Sequence, residues 1–348
     1  MNFSRSITDW YQENSRQLPW RDTRDPYPIW LSEVILQQTR VVQGLPYFNR
    51  FYNRFPTVVD LANAPQEEVI KLWQGLGYYS RARNLHAAAQ QIRDEGGKFP
   101  DTYKSLLHLR GVGEYTAAAI ASFAYGERVA VVDGNVYRVL SRVYGISTPI
   151  NSSPGVKEFK TIAARLIKEA VDPAMHNQAI MELGALQCTP RNPRCTSCPL
   201  QQDCVAFASD TADQLPVKIK KVQVKSVHYH YLVAQTPSGK TLLTQRPESG
   251  IWAGLYEFPN VESSGALMPF ELVESIAFKN VFEGLRFRES VYNQEPIIHK
   301  LSHRKIHAYF WVISLQDELP GGVEIKEAYK KPMSKLMQNF MQEYWKLN

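Results

Sequence analysis

Cys188-Thr189-Pro190-Arg191-Asn192-Pro193-Arg194-Cys195-Thr196-Ser197-Cys198-Pro199-Leu200-Gln201-Gln202-Asp203-Cys204 holds all four cysteines of a 348-residue chain, with six, two and five residues between successive thiols. Four soft thiolates crowded into one loop and its flanks suit an iron-sulfur cluster or a tetrahedral zinc. Two disulfides are the bland alternative, but no secretory signal opens the sequence, and a disulfide framework would be odd in a protein this large. The two outer spacings do not make a pair of Cys-x2-Cys knuckles. That tips the reading from zinc to one 4Fe-4S cluster.

Upstream of this loop the pattern is helical, with apolar residues recurring every three or four positions. Residues 31–51, 69–73, 82–93, 102–109, 115–125, 136–144, 156–171 and 176–186 are the clearest helices. Downstream the character changes. After the polar, lysine-bearing stretch 209–225, alternation appears in Val227, Tyr229, Tyr231 and Val233, followed by the turn Thr236-Pro237-Ser238-Gly239 and a second run from Lys240. This predicts a strand hairpin opening an α+β domain. The expected organisation is a helical domain over 1–208, a linker over 209–225 and an α+β domain over 226–348.

Composition sets loose bounds. An apolar fraction of 44% allows each domain its own core. No apolar run approaches membrane-spanning length. Residues 1–213 carry 23 basic and 21 acidic groups, and the remainder carry 17 and 13, which gives the net +6. This mild excess is compatible with nucleic acid and decides nothing alone.

Three short segments carry chemistry. Leu109-Arg110-Gly111-Val112-Gly113-Glu114-Tyr115 joins two helical patterns through a glycine turn. Gly111 and Gly113 let the backbone bend and offer amide groups at a helix N-terminus to a phosphate, a contact indifferent to base sequence. In Val132-Asp133-Gly134-Asn135 an apolar run delivers an aspartate to a helix start, where such a residue is ordinarily a cap. Glu33 stands among Trp30, Leu31, Val34, Ile35 and Leu36. Desolvation there would raise its pKa and let it donate a proton near neutrality.

The cysteine spacing, the glycine hairpin and the Asp133 segment together resemble the helix-hairpin-helix superfamily of endonuclease III and the adenine DNA glycosylases. Leu18-Pro19-Trp20-Arg21 through Arg40, Gly75-Leu76-Gly77-Tyr78-Tyr79 on to Leu85, and Asn177-Gln178-Ala179 on to Ala185 resemble the MutY-type adenine DNA glycosylases in particular. The resemblance covers nearly the whole chain. It implies a mainly α amino-terminal helix-hairpin-helix glycosylase domain with an iron-sulfur loop, followed by an α+β Nudix-like domain. It also implies that Glu33 is the catalytic acid, that Asp133 stabilises the developing sugar cation, and that Tyr115 and Asn135 organise that cation and water. Arg16, Trp20, Arg21, Leu36 and Gln178 would line the pocket for a flipped adenine, while Gln38 and Tyr78 would wedge into the base stack. Tyr115 stands where bifunctional relatives hold a Schiff-base lysine, so lyase activity should be weak or absent. Arg110 replaces the usual hairpin proline and adds a cation beside the expected phosphate.

In the second domain, Leu243 to Pro247 and Gly250 to Pro259 resemble the Nudix-like part of the same enzymes. The glutamate-rich helix that holds Mg2+ in true Nudix hydrolases is missing, with Lys279 to Gly284 in its place, which argues against nucleotide hydrolysis. Leu301-Ser302-His303 resembles a Phe-Ser-His loop that senses 8-oxoguanine, so Ser302 and His303 would read the lesion. The resemblance thus implies a monomeric, bacterial, cytoplasmic and nucleoid-associated repair enzyme whose partner is duplex DNA bearing A:8-oxoguanine or A:G mispairs. The rivals are an endonuclease III-like glycosylase/lyase, which Tyr115 and the second domain oppose, and a catalytically silent iron-sulfur protein, which would bind DNA without releasing adenine.

Overall fold

A computed structural model describes residues 3–219 and 224–347, so part of the expected 209–225 linker lies outside the described residues. The chain divides into two compact units, Met1–Ala64 with Asn84–Lys220, and Pro65–Arg83 with Lys221–Asn348. The helices of the first part of the chain are α1 (Phe3–Asn14), α2 (Pro26–Leu36), α3 (Val41–Arg54), α4 (Val58–Asn63), α5 (Gln66–Trp73), α6 (Ser80–Asp94), α7 (Tyr103–Leu106), α8 (Glu114–Tyr125), α9 (Gly134–Tyr144), α10 (Ser153–Lys168), α11 (Pro173–Leu186) and α12 (Val205–Ala208). Phe3, Ala119, Val136, Val139, Leu140, Phe159, Ala179 and Leu183 build the first unit's core from α1 and α8–α11.

The expected helix over 31–51 is two helices. It breaks at Gln37–Arg40, where Gln38 adopts a left-handed φ of 56°, and α3 begins anew at Val41. Apolar periodicity runs through this break because the residues on both sides face one core.

The second unit contains strands β1 (Lys225–Gln235), β2 (Lys240–Thr241), β3 (Thr244–Gln245), β4 (Tyr256–Glu257), β5 (Asn260–Ser263), β6 (Phe287–Val291), β7 (Ile297–Lys300), β8 (Arg304–Leu315) and β9 (Val323–Glu324). Its helices are α5, α13 (Pro269–Glu274), α14 (Ile276–Phe282), α15 (Ile325–Lys330) and α16 (Lys335–Trp345). The main sheet runs β5-β1-β8-β6, with β7 also on β8. β1 and β8 are parallel from Lys225↔Arg304 to Gln235↔Ser314, a pairing that requires a long crossover rather than a tight turn. One face packs Tyr229, Tyr231, Val233 and Phe310 against Met337, Phe340 and Met341 of α16. The other packs Leu232, Ala234 and Ile313 against Leu272, Phe278 and Phe282 of α13 and α14.

The turn at Thr236–Gly239 forms, but the expected hairpin does not: β2 pairs with β9, while β1 has β8 and β5 as neighbours. A strand covered on both faces is apolar throughout, and the alternation in β1 is only partial for that reason.

The division also departs from the expected domain edges. Residues 65–83 belong with the carboxy-terminal strands because Lys71 Nζ donates to the carbonyls of Tyr329 (2.8 Å) and Lys331 (3.1 Å), at the end of α15. Arg83 Nη1 donates to Ala253 O (2.7 Å) and Tyr79 Oη to Met333 O (3.3 Å). Conversely, Arg142 Nε donates to Leu215 O, and Ile150 N to Val217 O, which ties the start of the expected linker to the helical unit.

Candidate active site

Asp25 caps α2 by accepting from Tyr27 N at 2.9 Å, and Pro26 occupies the first helical position, where its missing N–H has no consequence. Every residue from Tyr27 to Ile35 is buried, so α2 is a core helix and Glu33 is carried inside with it, 7% exposed. Burial drives the Glu33 carboxyl up to about 7; the Asp133 charge pushes the same way, while the Tyr115 hydrogen bond and Arg21 oppose it. Tyr115, in the first turn of α8, donates its hydroxyl to Glu33 Oε2 at 2.6 Å.

Asp133 is a helix cap and more. Its Oδ1 accepts from Asn135 N (2.9 Å) and Val136 N (2.8 Å), and its Oδ2 from Asn135 Nδ2 (2.8 Å). Burial dominates and leaves its pKa raised, although those three bonds, with Arg138, pull it down. Bonds that favour the anion accumulate on Asp133, whereas Glu33 has one. The two carboxyl groups thus sit in unlike hydrogen-bonding environments.

Both carboxyl groups open into a cavity of about 700 Å³ in the helical unit. The structure brings Arg16, Trp20, Arg21, Leu36, Gln38, Tyr115, Asn135 and Gln178 to the same cavity. Trp20 is also packed edge-on against Phe48 at 4.8 Å, so it serves the core as well. Gln178 is oriented by Tyr11, whose hydroxyl donates to its Oε1 at 2.6 Å.

Glu182 lies in the 177–185 segment with no role read from the sequence, yet it organises this wall. It accepts from Arg16 Nε (2.7 Å) and Nη2 (2.6 Å) and from Arg21 Nη2 (2.7 Å), with its side chain 1% exposed. Burial alone would raise its pKa, but the arginine hydrogen bonds prevail and bring it to about 2. The signal was a lone acid in Ala179-Ile180-Met181-Glu182-Leu183-Gly184, the same signal that marks Glu33.

Gly111 and Gly113 lie outside the cavity, on the turn between α7 and α8. Gly111 has φ 74°, and a Cβ there would sit 2.5 Å from the Asn84 side chain, so only glycine fits. Gly113 is the cap residue of α8.

Tyr78, Ser302 and His303 are in the second unit, where they line another cavity, of about 570 Å³. Tyr78 is 49% exposed with φ 48°. Leu301 N bonds Arg304 O at 2.8 Å, closing the turn that leaves Ser302 and His303 exposed.

Cys188, Cys195, Cys198 and Cys204 form no disulfides and line one space with Arg142, Leu183 and Leu200. Among the described residues no three His, Cys, Asp or Glu side chains approach closely enough to share one metal ion. Four soft thiols lining one space suit a thiolate-bound iron-sulfur cluster. Arg142 Nη1 lies 3.4 Å from Cys188 Sγ and 2.8 Å from Thr189 O. Arg138 joins this loop to the Asp133 segment, donating to Cys188 O (2.7 Å), Gly184 O (2.6 Å) and Asn135 Oδ1 (2.8 Å). Among the described residues no helix is long and apolar enough to cross a membrane.

Residues 31–168 match the HhH-GPD superfamily of base excision DNA repair proteins, 188–204 the iron-sulfur binding domain of endonuclease III, and 230–343 the NUDIX domain. The adenine DNA glycosylase of Buchnera aphidicola subsp. Schizaphis graminum is 31% identical over 97% of this chain and 98% of its own length. That of Arabidopsis thaliana is 37% identical over 73% of this chain, which spans 46% of the plant protein. Among solved structures, a thermostable thymine-DNA glycosylase is 31% identical with a TM-score of 0.55, over 60% of this chain and 95% of its own. The chain accordingly carries one 4Fe-4S cluster, and the matched segment contains all four cysteines.

Proposed function

From the premise that the chain belongs to the adenine DNA glycosylase family, we propose that it removes adenine mispaired with 8-oxoguanine or guanine from duplex DNA. The target base must leave the stack to reach an enclosed acid, and the 700 Å³ cavity is large enough for a flipped purine. The observation that carries the reading is Glu33 itself: buried, hydrogen-bonded to Tyr115, and with a carboxyl pushed up to about 7.

Glu33 protonates adenine N7, and the C–N bond breaks with the electron pair leaving on the base. Asp133, anionic and held by three hydrogen bonds, stabilises the oxocarbenium-like sugar electrostatically or as a brief adduct. Tyr115 and Asn135 hold the two carboxyl groups in place. Glu33, now a carboxylate, takes a proton from water as it attacks C1′. Arg16, Trp20, Arg21, Leu36 and Gln178 form the adenine pocket, with Gln38 and Tyr78 in the base stack. Among the described residues no lysine lines the cavity beside Tyr115, which supports a monofunctional hydrolase.

Gly111 and Gly113 present the hairpin backbone to phosphate, and Ser302 and His303 read the lesion. The cluster, when bound, cross-links the 188–204 loop, whose exposed Arg191 and Arg194 reach toward phosphates. We place the enzyme on the nucleoid of the bacterial cytoplasm, acting as a monomer; the bacterial relative supports only a bacterial setting.

The test is Glu33→Gln in single-turnover excision from A:8-oxoguanine duplexes. It should keep lesion binding and lose excision by orders of magnitude. Near-normal release of adenine by this variant would sink the mechanism.

A further inference from the structure

Six non-glycine residues adopt a left-handed φ among the described residues: Gln38, Tyr78, Asn192, Asp210, Trp252 and Lys346. Asn and Asp tolerate this conformation through local hydrogen bonds, and Lys346 ends a helix. The other three line the two cavities. Two of them, Gln38 and Tyr78, already carry assigned contacts with the base stack.

Trp252 is the third, at φ 55°, a conformation that is strained for a bulky side chain. It persists because the turn around it is fixed from several sides. Arg246 Nε donates to Ile251 O at 2.9 Å and is itself paired with the buried Glu257 at 2.6 Å. Arg83 donates to Ala253 O, Gln245 Nε2 to Gly254 O at 3.0 Å, and Leu255 N to Trp252 O at 3.0 Å. The result is an indole held at the wall of the 570 Å³ cavity, edge-on to His299 at 5.4 Å, on the cavity that also holds Tyr78, Ser302 and His303.

We infer that Trp252 is a recognition residue whose indole face packs against the oxidised purine or its neighbouring base, adding a stacking surface to the hydrogen bonds of Ser302 and His303. This rests on the lesion reading proposed above. Glycine adopts φ 55° without strain, so Trp252→Gly removes the ring and relaxes the backbone in one step.

The test uses the full-length, cluster-loaded protein as wild type, Trp252→Gly, Trp252→Leu and Trp252→Phe. Binding of duplexes carrying a non-cleavable adenine analogue is measured opposite 8-oxoguanine and opposite guanine, at one salt concentration, alongside thermal unfolding. The Gly and Leu variants should lose about tenfold of the preference for 8-oxoguanine, the size of one base–aromatic stack, while Phe retains most of it. Their melting temperatures should stay within about 3 °C of wild type. A Leu variant with full preference, or a Gly variant that melts far lower with its preference intact, makes Trp252 a packing residue and overturns the assignment. A wild type that does not distinguish the two duplexes overturns the lesion reading itself.

Discussion

The hydroxyl of Tyr115 reaches Oε2 of Glu33 at 2.6 Å, and it is the largest influence holding that carboxyl down against burial. A donor favours the anion of its acceptor. Tyr115→Phe should therefore raise the Glu33 pKa further above 7 and move the falling limb of the excision–pH profile to higher pH. A limb that stays in place would mean that Glu33 is not the group titrating.

Wild-type excision should decline as pH rises through about 7, because the protonated Glu33 that the reaction needs disappears there. The same raised pKa works against folding at alkaline pH. The folded state holds the Glu33 proton more tightly than the unfolded chain, so this contribution is present below about 4.5 and is lost as pH rises through 7. Glu33→Gln should consequently be more stable than wild type at pH 8, by up to about 3 kcal/mol, measured by denaturant unfolding.

Glu182→Ala leaves Arg16 and Arg21 facing each other without their shared carboxylate. We expect a loss of roughly 3 kcal/mol of stability at pH 7, the order found when one partner of a buried ion pair is removed, together with weaker excision through a displaced pocket wall. The Glu182 contribution is fully present above about 4.5 and fades as pH falls towards 2. The destabilisation should therefore shrink in acid; a constant difference from pH 7 to pH 3 would contradict it.

Anaerobically purified protein should contain about four irons and four acid-labile sulfides per chain, with a broad brown absorbance. Replacing Cys198 by serine should reduce the iron content and weaken DNA binding through the 188–204 loop. One tightly held zinc without labile sulfide would refute the cluster.

Ser302→Ala with His303→Ala should lower the preference for A:8-oxoguanine over A:G duplexes in binding, by roughly 1–3 kcal/mol for each lost base-edge contact. Saturating single-turnover excision should change less, because Glu33 belongs to the other cavity. An unchanged binding ratio would reduce Leu301–His303 to a strand-end turn.

Much of this was legible because it is local. The cysteine spacing, the glycine turn and a lone acid in an apolar helix are each confined to a few residues. What the sequence hid depends on pairings across long separations. Arg21 meets Glu182 across 161 residues, and Lys71 meets Tyr329 across 258, and no periodicity announces either. The break at Gln38 and the parallel partner of β1 escaped for a related reason: apolar residues report that a face is buried, not what buries it. Trp252 lies in a segment that marked the second domain, but nothing in that segment announced its backbone angle, which Arg246 and Arg83 help to impose.

The membership of residues 65–83 in the carboxy-terminal unit bears on how the chain is born. The last residue of the helical unit, Lys220, leaves the ribosome well before the partners of α5 exist. At 5–20 residues per second, Lys71 waits on the order of tens of seconds for the carbonyls of Tyr329 and Lys331. Throughout that interval the segment bearing Tyr78 lacks the late-made hydrogen-bond partners that hold it in the finished protein.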